Sequence, residues 1–264
     1  MPILFWTIFI VLLGIAIGSF LNVVVFRTAE GIALTGRSKC RSCVKPIAAR
    51  DLVPVVSFFL LKGRCRNCKA VIEWQYPAIE LVMGVLFGLL FARAVYGIGF
   101  PSFVDAGDWL ALFVRDALLV SFLVIIFVYD LRASVILDRF TFPAIILALI
   151  MNVLLGANAG DLLLGAILLG AFFGFQYILS SGQWIGGGDI RMGVLMGAML
   201  GVSLGLVALF LAYVLGAVIG IFLIIFGRKT LKSHVPFGTF LAAGTFISMI
   251  WGPAILAWYL SFFS

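Results

Sequence analysis

Two acidic residues and four cysteines are the side chains of this sequence best suited to chemistry. Asp130 follows the apolar run Phe127-Val128-Tyr129, and Asp189 follows the glycines Gly186-Gly187-Gly188. Carboxylates in or beside apolar helices are costly and mark function by default. Two held close together cannot both ionise cheaply, so one stays protonated while the other can take a proton from water. The protonated partner polarises a carbonyl and later protonates a leaving amine. Such roles belong to the pair and not to either residue. Each Asp also has a plainer reading. Asp189 can cap the helix that follows it, and Asp130 can pair with Arg132 at an interface. Asp138 opens another apolar stretch as an N-cap or as a residue shaping the site. Glu80 follows Tyr76-Pro77 inside an apolar stretch and is a candidate supporting or substrate-binding residue. Gly186 and Gly188 are expected to give the chain before Asp189 unusual backbone freedom and to let a substrate strand come close.

The cysteines form two pairs, Cys40-Arg41-Ser42-Cys43 and Cys65-Arg66-Asn67-Cys68. The two-residue spacing lets both thiolates of a pair reach one tetrahedral ion. Lys and Arg around the pairs favour the thiolate. A structural zinc site is the favoured reading. Disulfides and a redox pair are the alternatives, the first disfavoured in a reducing compartment. Residues 27–75 are few and poor in large apolar side chains, so metal would supply missing folding energy. Four cysteine ligands leave no open coordination position for catalysis.

The elements that must position these groups are apolar. The chain has 264 residues, 64% hydrophobic and 11% charged, where a soluble domain carries about a quarter charged. Only a bilayer can cover that much apolar surface. The net charge of +7 does not indicate nucleic-acid binding, because the basic residues lie between apolar stretches of spanning length. We read about eight spans, at 3–26, 76–96, 109–130, 138–156, 161–180, 190–202, 204–226 and 237–260. Gly201, Ser203 and Gly205 mark the expected break between the sixth and seventh, against one long tilted helix as the alternative. No basic residue precedes the first span, so a cleavable signal is not expected and the N-terminus is expected outside. That topology puts 16 of the 18 basic residues on the cytoplasmic side, ten of them between 27 and 75, as the positive-inside rule asks. Arg93 and Arg115 fall toward the outside, where Arg115 and Asp116 read as an outer-end polar pair. His234 stands in a basic loop with Arg228, Lys229 and Lys232, and histidine catalysis is not expected. Gly165, Gly170, Gly174, Gly193, Gly197 and Gly201 read as close-packing positions. No long internal repeat is evident. The fold expected is therefore an all-α integral membrane protein with a small zinc-ribbon-like cytoplasmic domain between the first two helices. Its parts are a first helix over 1–26, the zinc segment over 27–75 and a seven-helix core over 76–264.

The ordered set of motifs resembles the bifunctional type IV prepilin peptidases over nearly the whole chain. It comprises Gly18-Ser19-Phe20-Leu21-Asn22-Val23, the two cysteine pairs, Pro54-Val55-Val56-Ser57-Phe58, Tyr76-Pro77-Ala78-Ile79-Glu80, Asp130 with Asp138, Gly186-Gly187-Gly188-Asp189 as a GxGD motif, and Pro236-Phe237-Gly238. Leu137 departs from the pattern, since many members have proline before the second Asp of the junction. The resemblance implies catalysis by Asp130 and Asp189 and cleavage of prepilin and pseudopilin leaders at the cytoplasmic face of the inner membrane. It also implies N-methylation of the new terminus with S-adenosylmethionine; no nucleotide-binding glycine fingerprint adds to that. An ion-coupled transporter with a regulatory zinc ribbon, or a zinc-ribbon scaffold without chemistry, are the readings from other classes. A transporter predicts acids near the bilayer midplane and symmetric broken helices.

Overall fold

The computed structural model describes residues 2–99, 101, 103–226 and 235–263; Arg228, Lys229, Lys232 and His234 lie outside the described residues. Helices dominate because the apolar stretches are long and must satisfy their own backbone in lipid. They are α1 (Pro2–Ala29), α2 (Val56–Leu60), α3 (Gln75–Tyr96), α4 (Trp109–Ala133), α5 (Asp138–Leu154), α6 (Ala159–Leu179), α7 (Gly187–Ile225) and α8 (Phe237–Leu260). Six are long and apolar enough to cross a membrane: α1, α3, α4, α6, α7 and α8. The 17-residue α5 is just at the lower limit of a span.

The chain divides into two compact units, Met1–Ala92 and Arg93–Ser264. The first holds α1, most of α3 and the cysteine-bearing segment between them. Gly14 and Gly18 let α1 lie directly on α3: a Cβ on Gly18 would meet Glu80 Cα at 2.8 Å and one on Gly14 would meet Met83 O at 2.6 Å. The Arg27 guanidinium ends α1 by donating to the carbonyls of Ala33, Leu34, Thr35, Gly36 and Arg37. Arg41 stacks on Phe26, 4.6 Å from the ring centroid, and bridges Glu30 and Glu73, tying the two ends of the inserted segment together.

In the second unit the 39-residue α7 is the decisive element. A straight helix of that length would run about 58 Å, twice the hydrocarbon thickness. It is not straight. Gly201 has φ 72° and ψ −168°, outside the helical region, which glycine alone adopts freely. A Cβ on Gly205 would lie 3.9 Å from Gly197 Cα, although residues eight apart in a straight helix are separated by about 12 Å. Leu169 of α6 would meet a Cβ on Gly193 and one on Gly205 alike. Hence α7 folds back at Gly201 into two helices, where the sequence places the break, while α5 is not among the described helices long and apolar enough to cross a membrane.

Polar groups cover the backbone freed by this break. Asn152 donates to the carbonyls of Ala198 and Met199, 3.0 Å each, at the end of the first half. Asp161 accepts from Val202 N, 3.4 Å, at the start of the second, and its Oδ2 fills the place where a Gly201 Cβ would go. Behind Asn152 lies a buried set. Arg115 donates to Asn152 Oδ1 at 2.9 Å and pairs with Asp116 at 2.8 Å, and Asp116 also pairs with Arg93. The outer-end pair expected at Arg115 and Asp116 therefore extends to Arg93 and to the helix break. Of the packing glycines, Gly165, Gly170, Gly193, Gly197 and Gly201 are in close contact, whereas a Cβ on Gly174 would meet nothing within 4 Å. Gly174 is not a close-packing position among the described residues, because no atom of a neighbouring element lies within 4 Å of where its Cβ would be.

Candidate active site and metal centre

Asp130 lies in the last turn of α4 and is 4% exposed. Its Oδ2 accepts the Thr239 N–H at 2.8 Å, and the Gly238 N–H is also bonded to the carboxylate. The carboxylate thus sits on the N-terminus of α8, where free N–H groups and the helix dipole favour an anion. Gly238 makes this possible, since a Cβ there would meet Asp130 Oδ2 at 2.8 Å and Ile136 Cδ1 at 2.6 Å. Asp189 is 8% exposed. Its Oδ2 accepts the Gly186 N–H at 2.9 Å, so the N-cap reading is corrected: Gly186 is the N-cap, and Asp189 is the third residue of α7, reaching back to it as in a capping box. The same carboxylate lies within direct electrostatic reach of Asp130.

The junction between α4 and α5 packs into the space between the two acids. Ser134 ends α4 in the left-handed region, and Leu137 is extended at φ −89° and ψ 134°. Leucine therefore takes an extended conformation close to the one proline would impose. Ile136 is buried against Gly188 on one side, 2.8 Å from the Cβ that residue lacks, and against Gly238 on the other. The need for glycine at 188 is thus close approach. It is not unusual φ, because none of Gly186, Gly187 and Gly188 has positive φ, and the expectation of special backbone freedom there is corrected. Gly186 serves through its N–H, and a Cβ on it would make only ordinary contacts.

Asp138 is exposed at the first position of α5 and forms an ion pair with Arg191 of α7, joining the starts of the two helices that flank the site. Glu80 belongs to the other unit. It is 6% exposed, accepts Val55 N at 2.6 Å and is hydrogen-bonded to Ser19. Sequence reasoning missed the backbone donors at Gly238 and Thr239. Their one signal is Pro236-Phe237-Gly238 at a helix start, a proline and a glycine where a first turn meets another group closely.

The four cysteines come together, with ligand atoms all within 4.8 Å of one another and Cys40 Sγ 3.8 Å from Cys68 Sγ. Sulfurs around a zinc ion at 2.3 Å stand about 3.8 Å apart, so the set fits a tetrahedral metal. The two halves are built alike, as a zinc-ribbon-like pair of knuckles. Cys40 N donates to Lys45 O and Val44 N to Cys40 O; Cys65 N donates to Ala70 O and Lys69 N to Cys65 O. Bridges Lys39–Pro46 and Arg64–Val71 close the two turns. This short repeat escaped the sequence because little recurs besides the cysteines, the basic residue before each pair, the arginine after each first cysteine and the isoleucine at Ile47 and Ile72. Hydrogen bonding from the Cys43 backbone holds the Cys40 thiol down at about 6, as a metal-binding thiolate requires.

The chain matches the description "Bacterial Peptidase A24 N-terminal domain" over residues 12–94 and "Type IV leader peptidase family" over residues 117–221. Three proteins named prepilin leader peptidase/N-methyltransferase are similar along most of its length. That of Bacillus subtilis is 30% identical, covering 94% of this chain and 95% of the relative. That of Burkholderia pseudomallei strain 1026b is 32% identical, covering 92% and 85%. That of Aeromonas hydrophila is 29% identical, covering 100% and 96%. No solved structure matches the chain.

Proposed function

The chain belongs to the type IV leader peptidase family, and from that premise we propose that it is a membrane-embedded aspartyl endopeptidase. It removes the short basic leader of type IV prepilins and pilin-like secretion proteins and N-methylates the residue so exposed. Asp130 and Asp189 are the catalytic pair. The observation that carries this is their convergence, through Gly238, Ile136 and Gly188, at one end of the second unit. The names of the relatives give no support to ion-coupled transport.

In the reaction one carboxylate takes a proton from water as the water oxygen adds to the scissile carbonyl carbon. The protonated partner donates a hydrogen bond to the carbonyl oxygen. The carbon–nitrogen bond then breaks as the amine nitrogen receives a proton, leaving the leader's carboxylate and a new N-terminal amine. Backbone N–H groups of Gly238, Thr239 and Gly186 hold the two acids in place without neutralising them. Asp138 supports the site by tying α5 to Arg191. Glu80 supports the cysteine-bearing segment.

The four cysteines hold a structural Zn2+ ion, which supplies fold stability and no open position for chemistry. S-adenosylmethionine supplies the methyl group. The aromatic groove between Phe58 and Trp74 has rings for an adenine but no carboxylate to meet a donor that is cationic overall. The enzyme lies in the bacterial inner membrane with its N-terminus outside, and with residues 27–75 and both aspartates on the cytoplasmic side. The first helix, the zinc segment and the peptidase core over 76–264 are its working parts.

Asp130→Asn and Asp189→Asn test the proposal. Each alone is expected to abolish leader removal from a prepilin while the protein still inserts and melts as the parent does. Retained cleavage in either variant removes that residue from the mechanism.

A further inference from the structure

The cysteine-bearing segment carries an apolar face that water would not tolerate well. Among its exposed side chains are Val56 at 52%, Phe59 at 55%, Leu60 at 76%, Val71 at 78% and Trp74 at 65%. Exposed apolar groups of this size gathered on one small segment mark a contact surface. Phe58, Phe59, Trp74, Val71, Lys62 and Arg64 line a groove of about 480 Å³ on it. Phe58 forms its floor, with Trp74 and Phe59 packed against that ring at centroid distances of 4.9 and 5.6 Å.

Two connections fix where this surface stands relative to the spans of its own unit. Trp74 immediately precedes α3, so it lies at the end of a membrane helix. Tryptophan is enriched at that level, where its ring meets the headgroups. The start of α2 is held by Glu80, whose Oε2 accepts Val55 N at 2.6 Å. Glu80 is six residues into α3, about 8 Å along its axis. The short α2, with Phe59 and Leu60 outward, is therefore pinned beside the first turns of a span and not out in the solvent.

Charge selects what meets it. The three acids between residues 30 and 74 are taken up by two arginines, Glu30 and Glu73 by Arg41 and Asp51 by Arg66. Arg37, Lys39, Lys45, Arg50, Lys62, Arg64 and Lys69 form no salt bridge among the described residues and are left as a net positive surface, with Lys62 and Arg64 exposed on the groove itself. Aromatic and aliphatic groups beside the start of a span, with Lys62 and Arg64 exposed among them on a basic segment, are the pattern of a surface that lies in an anionic lipid interface.

We propose that α2 and the groove from Phe58 to Trp74 dock into the membrane surface and bind an anionic phospholipid, its phosphate on Lys62 and Arg64 and its upper acyl chains against Phe59, Leu60 and Trp74. The groove is a lipid site of this chain, separate from the metal centre and from the aspartate pair. It rests on α1 and α3 being membrane spans, and not on the peptidase chemistry.

The test uses the full-length protein in lipid nanodiscs of equal parts phosphatidylglycerol and phosphatidylcholine, with bromines on the acyl chains of one lipid or the other. Trp74 is kept as the single tryptophan by replacing the other five of the six with phenylalanine. Its emission is expected to be quenched far more by brominated phosphatidylglycerol than by brominated phosphatidylcholine. With two basic side chains on the phosphate, the enrichment should be on the order of ten- to thirtyfold. Lys62→Gln with Arg64→Gln should make the two lipids quench alike, with bound metal unchanged. A companion protein keeping only Trp6, within α1, should be quenched by either lipid and certifies insertion. Quenching of Trp6 with none of Trp74 overturns the proposal, as does equal quenching of Trp74 by the two lipids in the unsubstituted groove. Relief of Trp74 quenching by added S-adenosylmethionine overturns it too, because the groove would then belong to the methyl donor.

Discussion

Gly238 is the residue on which the geometry of Asp130 depends most directly. The hydrogen a glycine carries is replaced in Gly238→Ala by a methyl that would meet the Asp130 carboxylate at 2.8 Å and Ile136 at 2.6 Å. Both distances are below any real Cβ contact, and Ile136 is also packed against Gly188. The carboxylate must shift, and a displacement near 1 Å in a catalytic group costs on the order of a hundredfold in rate. Leader cleavage should fall by about that factor in Gly238→Ala, with the melting transition changed far less. Thr239→Ala should keep near-parental rates, because Thr239 serves through its backbone N–H; a large loss there would mean that the side chain matters. At the metal centre the sign of a pH effect can be worked out. Cys40 is a thiolate above about 6 and a thiol below it. Zinc displaces only protons still present on its ligands. Proton release on zinc uptake by metal-free protein should therefore rise by about one as the pH falls from about 7 to about 5. Calorimetry in buffers of different ionisation enthalpy reads this directly, and a pH-independent release contradicts the assignment. The carboxylates and cysteines were legible in the sequence because side-chain chemistry is written there. The N–H groups of Gly238 and Thr239 were not, because every residue except proline carries the same donor and only the fold aims it.

Among the elements, α7 shows most clearly what glycine does for the fold. Gly201 turns the chain, and Asp161 and Asn152 meet the backbone groups the turn exposes. Asp161 is exposed and caps the second half of α7 through Val202 N, so Asp161→Ala should lower stability by about 1 kcal/mol, in the range of a lost helix cap. Gly201→Ala should cost more, since φ 72° with ψ −168° is a region essentially reserved for glycine, at a cost on the order of 1–3 kcal/mol, and its methyl would collide with Asp161 Oδ2 at 2.0 Å. The double variant should be less destabilised than the sum of the two, because Asp161→Ala removes the collision. Thermal unfolding in one detergent measures all three, and strict additivity would mean that Asp161 does not occupy that space. The break was legible because Gly201, Ser203 and Gly205 interrupt a run too long for one span. Its clamps were not. Asn152 and Asp161 are distant in sequence from the groups they satisfy, and Arg93 meets Asp116 across 23 residues, with no periodicity to announce either. Gly174 shows the converse error. Small-residue spacing alone suggested packing there, yet nothing comes near it.

For the whole molecule, the fold-back of α7 decides which way the chain ends. Asp189 opens the first half of α7, and Gly238 and Thr239 open α8 against Asp130, which is in reach of Asp189. The starts of α7 and α8 therefore share one face, and the residues between them must leave that face and return. Only an even number of passes does this, and the contact between Gly197 and Gly205 places the return at Gly201. Asp161 at the start of α6 meets the same turn, so α6 runs back from the far side. Composition made the helices predictable and the glycines marked the break, but only the packing of α6 against both halves of the 39-residue α7 shows the direction of the return. On the proposed topology, with the N-terminus outside and eight passes, the C-terminus lies outside as well. Alkaline phosphatase fused after the last residue should be active in cells, and a green fluorescent protein fused there should be dark. The reverse pair of results would overturn the proposed topology.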